Sequence, residues 1–126
     1  MYNLATYIID EENIMCTRTQ LSTISKRIAE TYRDVYGPSL VGMYLYGSYA
    51  RGDYDSESDL DYVAIVRGDR LSLQKELDKV REISFGLGLD NDIIVSPTVI
   101  PFDEFEKYKE LLPYYRNIEK EGISIE

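Results

Sequence analysis

The middle of the chain, residues 40–66, reads LVGMYLYGSYARGDYDSESDLDYVAIV and consists of two apolar stretches around a polar loop. Residues 40–46 and 59–66 are short, rich in β-branched and aromatic side chains, and bounded by turn residues, so each is predicted to form a buried strand. Between them, Gly47 and Ser48 begin a polar, turn-rich stretch that continues through Ser58. The rest of the chain is interpreted outward from these two strands.

Helical patterns lie on either side of this centre. Thr17 and Gln20 have the spacing of a capping box, and the helix that follows is predicted to end at Gly37-Pro38. A second helix is predicted after Asp69, which can cap it, as can Ser72. The apolar residues that recur at helical spacing are Leu21, Ile24, Ile28, Tyr32 and Val35 in the first helix, and Leu73, Leu77, Val80, Ile83 and Leu87 in the second.

The last third of the chain adds one strand and two further elements. Residues 92–96 are predicted to form a third strand that ends at Pro97, followed by a short helix over residues 102–108 and a C-terminal element around Pro113. The order is helix, strand, loop, strand, helix, strand, helix. It predicts an α+β fold with a small mixed β-sheet flanked by helices and covered on one face.

With 126 residues, the chain is predicted to form one domain, residues 17–126, preceded by an N-terminal extension, residues 1–16. The extension could add an edge strand or a turn of helix, or it could contact a partner. It has neither the basic region nor the small-residue cleavage site of a signal peptide, and no apolar run approaches the roughly 20 residues needed to cross a bilayer. We therefore expect a cytoplasmic protein without a membrane partner.

The composition excludes several reaction classes. The chain has no histidine and a single cysteine, Cys16, which rules out a Ser-His-Asp triad, a histidine-ligated metal, an internal disulfide and a cysteine-based zinc site within one chain. Cys16 is interpreted as a small apolar residue. No P-loop sequence is present. The net charge of -9 argues against direct binding of nucleic acid, which needs clustered lysine and arginine. Carboxylate and oxygen-ligand chemistry remains.

Acidic residues are concentrated in residues 53–61, which contain five carboxylates and no base. Asp59 and Asp61 begin the second predicted strand two residues apart, so their side chains are expected on one face, with Cα atoms about 6.6 Å apart. Two carboxylates at that separation can bind one Mg²⁺ ion or bracket a pair of ions. A solvated acidic loop is the alternative interpretation of this charge run.

Gly47 and Ser48 follow the first predicted strand and are candidates for binding an anion. A glycine lets the backbone approach a ligand closely, and amides and a hydroxyl at a strand-to-helix turn favour negative charge. Arg51, three residues further on, can present a forked cation to a phosphate. The alternative for Arg51 is a surface arginine that pairs with the acidic loop. Only ten residues separate Ser48 from Asp59, so the two motifs together are more specific than either alone.

The stretch from Gly47 to Asp61, GSYARGDYDSESDLD, resembles the signature of the polymerase-β-like nucleotidyltransferase superfamily. The small size and the lack of an added domain are similar to its minimal nucleotidyltransferase (MNT) branch. Within that branch, the chain resembles the MntA-type antitoxins, which pair with HEPN-domain toxins. The resemblance extends from about Leu21 to the C-terminal YYRNIEKEGISIE and implies the polymerase-β-like nucleotidyltransferase fold.

The resemblance also implies roles for the acidic residues. Asp59 and Asp61 would ligate the catalytic Mg²⁺, expected as two ions, and Asp92 would be the third carboxylate on the following strand. Asp90 is the rival for that third position. Because the chain has no histidine, Asp92 is also the candidate base for the acceptor hydroxyl.

For nucleotide binding, the resemblance implies that Gly47 and Ser48 hold the phosphates of ATP, with Arg51 as a further phosphate or transition-state cation. The implied reaction is protein adenylylation (AMPylation): AMP moves from ATP to a hydroxyl, a tyrosine of a cognate HEPN ribonuclease toxin, within a hetero-oligomer. The acidic surface suits a basic, RNA-binding partner.

Two alternatives to this function stay open at the level of the sequence. The chain could be a binding module that neutralises its toxin by masking it, without transferring nucleotides. It could also transfer a nucleotide to a small molecule or to an RNA end. For the latter, 126 residues leave little room for an acceptor domain, and the charge of -9 disfavours a groove for RNA.

Overall fold

The computed structural model describes residues 16–126, so the predicted extension, apart from Cys16, lies outside the described residues. The elements in chain order are α1 (Arg18–Tyr36), a 3-10 turn (Gly37–Ser39), β1 (Leu40–Tyr46), α2 (Ser48–Arg51), β2 (Leu60–Val66), α3 (Arg70–Asn91), β3 (Val95–Pro101), α4 (Phe102–Tyr108), α5 (Pro113–Glu121) and β4 (Ile123–Ser124).

Both long helices begin at the residues that their sequence predicts. In α1 the Gln20 N–H donates to Thr17 Oγ1 over 3.0 Å, and the Thr17 N–H donates to Gln20 Oε1 over 2.9 Å, which completes the capping box. The helix ends at Gly37, which has a φ of 56°. In α3 the Asp69 carboxylate accepts from the Ser72 N–H, so Asp69 is the N-cap.

Within residues 16–126, four strands form one mixed sheet in the order β3-β2-β1-β4, which confirms the predicted fold class. Strand β1 runs antiparallel to both β2 and β4, whereas β2 and β3 are parallel and joined by α3. Parallel neighbours need such a crossover connection, and the helical pattern between the two strands supplies it. Strand β4 was not predicted, because residues 123–124 are too few to show a pattern.

The third strand lies further along the chain than the sequence predicted. The predicted strand over residues 92–96 was to end at Pro97, but β3 begins at Val95 and passes through Pro97 to Pro101. This strand lies at the edge of the sheet, where a missing N–H is tolerated. Pro97 lies opposite Tyr62, and the Thr98 hydroxyl donates to the Tyr62 carbonyl over 3.0 Å.

Apolar side chains cover both faces of the sheet, so the prediction of a single covered face was wrong. Alternate residues of β2 enter two different clusters: Leu60, Tyr62 and Ala64 pack with α1 and α3, whereas Val63 and Ile65 pack with α4 and α5. The second cluster was missed because α4 and α5 are short and carry few apolar residues in phase.

Two further predictions concern the burial of Cys16 and membrane-spanning segments. Cys16 is buried in the larger cluster, as its apolar interpretation predicted, and burial raises the pKa of its thiol to about 11. None of the helices within residues 16–126 combines the length and the apolar character needed to cross a membrane.

We expect the buried hydroxyl pair of Ser25 and Tyr62 to contribute measurably to stability. The two hydroxyls share a hydrogen bond of 2.7 Å, and both residues are almost fully buried. Tyr62→Phe should therefore lower the free energy of unfolding by about 1 to 2 kcal/mol, since it leaves the Ser25 hydroxyl without this partner. Urea unfolding measures the change. The double variant Ser25→Ala/Tyr62→Phe should lose less than the sum of the two single changes, and strict additivity would contradict this interpretation.

Candidate active site

Two acidic residues lie at the start of β2, within one residue of where the sequence predicts the second strand to begin. Asp61 is the second residue of β2, where it pairs with Tyr46 of β1 on one side and with Ser96 of β3 on the other. Asp59 directly precedes the strand. Successive strand residues alternate between faces, so Asp61 lies on the same face as Val63. The middle strand of the three thus presents its acidic end between its two neighbours.

The surroundings of Asp61 disfavour its ionised form. Burial, and to a smaller extent the nearby Asp59 carboxylate, raise the pKa of Asp61 to about 6, while Arg51 opposes the shift. Two carboxylates this close repel each other when both are ionised, and a divalent cation relieves that repulsion. The donor set, two hard carboxylate ligands, is the kind that Mg²⁺ prefers. These residues therefore fit a magnesium ion.

Gly47 brings the end of β1 against the Asp61 carboxylate. Its φ is 78°, and a Cβ built on it would lie 2.6 Å from Asp61 Oδ2. No other residue type fits there without displacing the carboxylate or the backbone. Ser48 follows as the first residue of α2, and the Gly47 carbonyl accepts from the Ala50 and Arg51 N–H groups. The structure therefore places Gly47 directly beside Asp61, and Ser48 is the next residue of the chain.

Arg51 pairs with acidic residues, which is the alternative that the sequence left open. Its Nε donates to Asp53 Oδ2 over 3.2 Å, and its Nη1 lies 3.9 Å from Glu121 Oε2. The side chain is partly exposed and joins the acidic loop to the end of α5. Because it also opposes the raised pKa of Asp61, it is close enough to influence the pair electrostatically.

Asp92 does not begin a strand, contrary to the sequence prediction. Helix α3 continues to Asn91, and Asp92 caps its C-terminus in the left-handed conformation, with a φ of 54°. The backbone pairing of β2 with the following segment starts where the Leu60 N–H donates to the Ile94 carbonyl. The residue opposite Asp61 on β3 is Ser96. Asp92 is exposed at the helix end.

The described part of the chain does not bring three carboxylates together around one point. Within residues 16–126 no group of three histidine, cysteine or acidic side chains is close enough to hold a metal ion together. Asp90, the rival third carboxylate, is an exposed residue in the last turn of α3. Asp59 and Asp61 therefore stand as a pair, and the third position stays a prediction.

A cavity of about 790 Å³ adjoins the pair and includes both Asp59 and Asp92 in its wall. It lies between the C-terminal half of α3, the first residues of β3 and the loop over residues 56–59, and Tyr49 of α2 also lines it. This cavity was not predicted from the sequence. The available signal was Phe85 and Leu89, which are spaced one helical turn apart but fall outside the apolar stripe of α3.

The comparison with protein families defines the class of the protein. Residues 22–125 match the family described as nucleotidyltransferase domain, which is most of the chain. The chain therefore belongs to the nucleotidyltransferase family and is a nucleotidyltransferase enzyme, as its central motif predicted.

Two similar proteins come from Methanocaldococcus jannaschii, and both carry the name "putative protein adenylyltransferase". One is 32% identical over 96 residues, which cover 71% of this chain and 95% of the relative. The other is 30% identical over 97 residues, covering 77% of this chain and 89% of the relative.

Solved structures also align with the chain, at lower identity. One is the structure of a "putative nucleotidyltransferase" from Sulfolobus solfataricus. It aligns with a TM-score of 0.51 and 21% identity, over 84% of this chain and 81% of its own. A chain from a toxin–antitoxin crystal structure with AMP-PNP aligns with a TM-score of 0.49 and 18% identity, over 81% of this chain and 72% of its own. The first of these confirms the predicted nucleotidyltransferase fold.

We expect Gly47→Ala to disturb the acidic pair more than its backbone strain alone explains. The matched control is Gly37→Ala, because Gly37 has a similar backbone conformation (φ 56°, ψ -134° against φ 78°, ψ -156°) but no atom within 4 Å of a built Cβ. Each change should lower the free energy of unfolding by about 1 to 3 kcal/mol. Only Gly47→Ala should also reduce nucleotidyl transfer, by about tenfold or more, because it displaces the Asp61 carboxylate. Equal transfer rates for the two variants would contradict this interpretation.

The raised pKa of Asp61 predicts a pH-dependent stability. A carboxyl whose pKa is higher in the folded state stabilises the fold below its unfolded pKa of 3.8, and this contribution is lost as the pH rises through about 6. Without divalent cations, Asp61→Asn should therefore have a Tm a few degrees above that of the wild type at pH 8. The two values should converge as the pH falls toward 4.

The control for this prediction is Glu57→Gln, which removes the same charge from an exposed position in the loop before β2. It should leave the difference between pH 4 and pH 8 almost as in the wild type. Thermal unfolding followed by circular dichroism over that pH range makes the measurement. If Asp61→Asn and the wild type have the same Tm at pH 8, ionisation of Asp61 does not destabilise the fold, and the prediction is wrong.

Proposed function

We propose that this chain is a Mg²⁺-dependent protein adenylyltransferase, which moves AMP from ATP to a tyrosine hydroxyl of a HEPN-type toxin. The observation that carries the proposal is the carboxylate pair Asp59 and Asp61, with the Gly47 backbone packed against Asp61. Two relatives named as protein adenylyltransferases, each about 30% identical, support the protein acceptor. The toxin partner rests on the resemblance of residues 47–61 to the MntA-type antitoxins.

In the proposed reaction, the end of β1 holds the nucleotide. The Ser48 hydroxyl and nearby backbone amides contact the phosphates of ATP, and Gly47 lets them approach closely. Arg51 adds a positive charge to this site. To contact a phosphate, its side chain has to break its ion pair with Asp53 or with Glu121, and both of these partners are only partly buried. Because such exposed ion pairs contribute little stability, exchanging one for a phosphate costs little.

Asp59 and Asp61 hold magnesium, as one ion or as two. Magnesium bound there neutralises charge on the triphosphate and on the departing pyrophosphate. The acceptor oxygen forms a bond to the α-phosphorus, the bond from that phosphorus to the bridging oxygen breaks, and pyrophosphate leaves. The hydroxyl proton passes to a carboxylate, for which we propose Asp92, since it lines the same cavity as Asp59.

The partner is proposed to be a basic protein. The chain carries a net charge of -9, and its acidic loop lies beside the candidate site. Complementary charge raises the rate of association and disfavours wrong partners, so a toxin with a basic, RNA-binding surface fits as both partner and acceptor in a hetero-oligomer.

A second candidate function is supported by the position of Asp92. Because the third carboxylate is not joined to the pair within residues 16–126, the chain could neutralise a toxin by masking it, without catalysis. Masking needs the surface of the chain but not the ionised acidic pair. Substitution of the pair therefore separates the two functions.

Label transfer tests the proposed reaction. The pure chain is incubated with Mg²⁺ and α-phosphate-labelled ATP in a lysate of the source cells, beside Asp59→Asn/Asp61→Asn and Asp92→Asn. We expect a labelled protein band with the wild type and at least a hundredfold less label with the double variant, because the magnesium ligands are lost. Asp92→Asn should reduce the label by about a hundredfold if it takes the proton.

The other outcomes assign the function differently. Label in RNA or in a small molecule would keep the enzyme class but exclude a protein acceptor. Absence of label with all four triphosphates, together with toxin neutralisation that survives Asp59→Asn/Asp61→Asn, would establish masking instead of adenylylation. Full activity of Asp92→Asn would remove that residue from the mechanism and leave the acidic pair in place.

A further inference from the structure

Three large apolar side chains are exposed on the wall of the cavity next to Asp59. Phe85 and Leu89 lie one turn apart on α3 and are each 69% exposed, and Ile94, just after the helix, is 63% exposed. None of the three belongs to either packed cluster of the described residues. Clustered exposed apolar side chains in a concave surface are typical of a binding site, whereas single ones are ordinary.

The cavity lies mainly toward β3 as seen from the acidic pair. In the sheet, β2 lies between β1 and β3. Gly47 and Ser48 follow β1 and are not part of the cavity wall, which includes only Tyr49 from α2 but residues 93–97 around the start of β3. The cavity therefore touches the proposed phosphate site at Tyr49 and extends from there past Asp59 toward β3.

An in-line phosphoryl displacement needs the attacking and the leaving oxygen on opposite sides of the phosphorus. Most of the cavity wall belongs to α3, the start of β3 and residues 56–59, and the cavity reaches Asp59. If the triphosphate is bound at the end of β1, the β3 side of this cavity is therefore the part that is open to an acceptor hydroxyl. Its volume of about 790 Å³ is large enough for side chains of a protein segment.

The charge around the cavity indicates the kind of segment that it fits. One wall is formed by residues 56–59, which include Glu57 and Asp59, and Asp92 lies on the rim. The cation on the helix wall, Arg81, already pairs with Asp78 over 2.9 Å. A segment with an apolar side chain among Phe85, Leu89 and Ile94 and a basic side chain facing Glu57 is therefore complementary to both walls.

We propose that the cavity between α3, the start of β3 and residues 56–59 is the docking site for the protein acceptor, a segment with an apolar anchor and flanking basic residues. This inference rests on the proposed function and adds to it the surface by which the protein substrate is recognised. Docking there brings the acceptor hydroxyl to Asp59 from the β3 side of the cavity.

The test compares Phe85→Asp with Leu71→Asp in the label-transfer reaction at several dilutions of the lysate. The two positions match closely: both lie on α3, and their side chains are 69% and 68% exposed. Leu71 lies in the first turn of the helix, far from the cavity wall, which begins at Arg81. We expect Phe85→Asp to reduce label in the protein band at least tenfold at low lysate concentration, with partial recovery at high concentration, since docking affects KM for the acceptor. Leu71→Asp should stay within twofold of the wild type.

Binding of ATP with Mg²⁺, measured by calorimetry, separates acceptor docking from nucleotide binding. Both variants should bind ATP within twofold of the wild type. A loss of ATP affinity confined to Phe85→Asp would overturn the inference, because the cavity would then hold the nucleotide base. If circular dichroism shows that Phe85→Asp is unfolded, Leu89→Lys against Leu71→Lys repeats the comparison.

The acidic wall has a matched test of its own. Glu57→Lys should reduce label transfer several-fold at low salt and weaken the dependence of the rate on salt, whereas Glu110→Lys, an equal charge change at an exposed residue between α4 and α5, should do neither.

The outcomes distinguish the inference from the proposed function. If the wild type labels a protein and Phe85→Asp labels it as well as Leu71→Asp does, the docking site is wrong and the adenylyltransferase stands. If the wild type labels no protein, the proposed function fails and the docking site fails with it.

Discussion

The contact between the Gly47 backbone and the Asp61 carboxylate is the constraint on which the site depends. Tyr46 pairs with Asp61, so the end of β1 and the acidic start of β2 lie side by side. The chain has to turn immediately after Tyr46 and still leave room for a carboxylate, and a Cβ at position 47 would lie 2.6 Å from Asp61 Oδ2. Only glycine meets both requirements, and α2 begins directly after it.

Such an arrangement is locally unfavourable, and the rest of the fold offsets it. Asp61 is partly buried beside another carboxylate, and its raised pKa of about 6 reflects that penalty. Strand β2 continues from this point into a core on both faces, with Tyr62 in one cluster and Val63 in the other. Apolar packing on both sides keeps the strand in register, so its first residues cannot move apart to relieve the repulsion. Functional sites commonly contain such conflicts with local preference.

The parts of the structure that follow from short-range spacing were predictable from the sequence. Both the Thr17–Gln20 capping box and the alternation of β2, which puts Asp61 and Tyr62 on different faces of the sheet, were predicted correctly. Each depends only on neighbouring residues. The start of β3 was not, because it depends on where α3 ends. Asp92 takes a left-handed conformation there, and an edge position makes Pro97 acceptable in a strand. Neither condition is visible without the neighbouring elements. For the same reason Ser96, and not an acidic residue, was found opposite Asp61.

On the proposed arrangement, the acidic loop acts on both substrates. It follows the phosphate site at the end of β1 in the chain, and it contributes Glu57 and Asp59 to the cavity wall. Negative charge at this place repels a triphosphate unless a cation is bound with it, and it attracts a basic acceptor segment. When that segment docks against Glu57, part of the repulsion felt by the nucleotide is neutralised, so each substrate favours the binding of the other. Charge that would only destabilise an isolated domain thereby couples the nucleotide to its protein acceptor.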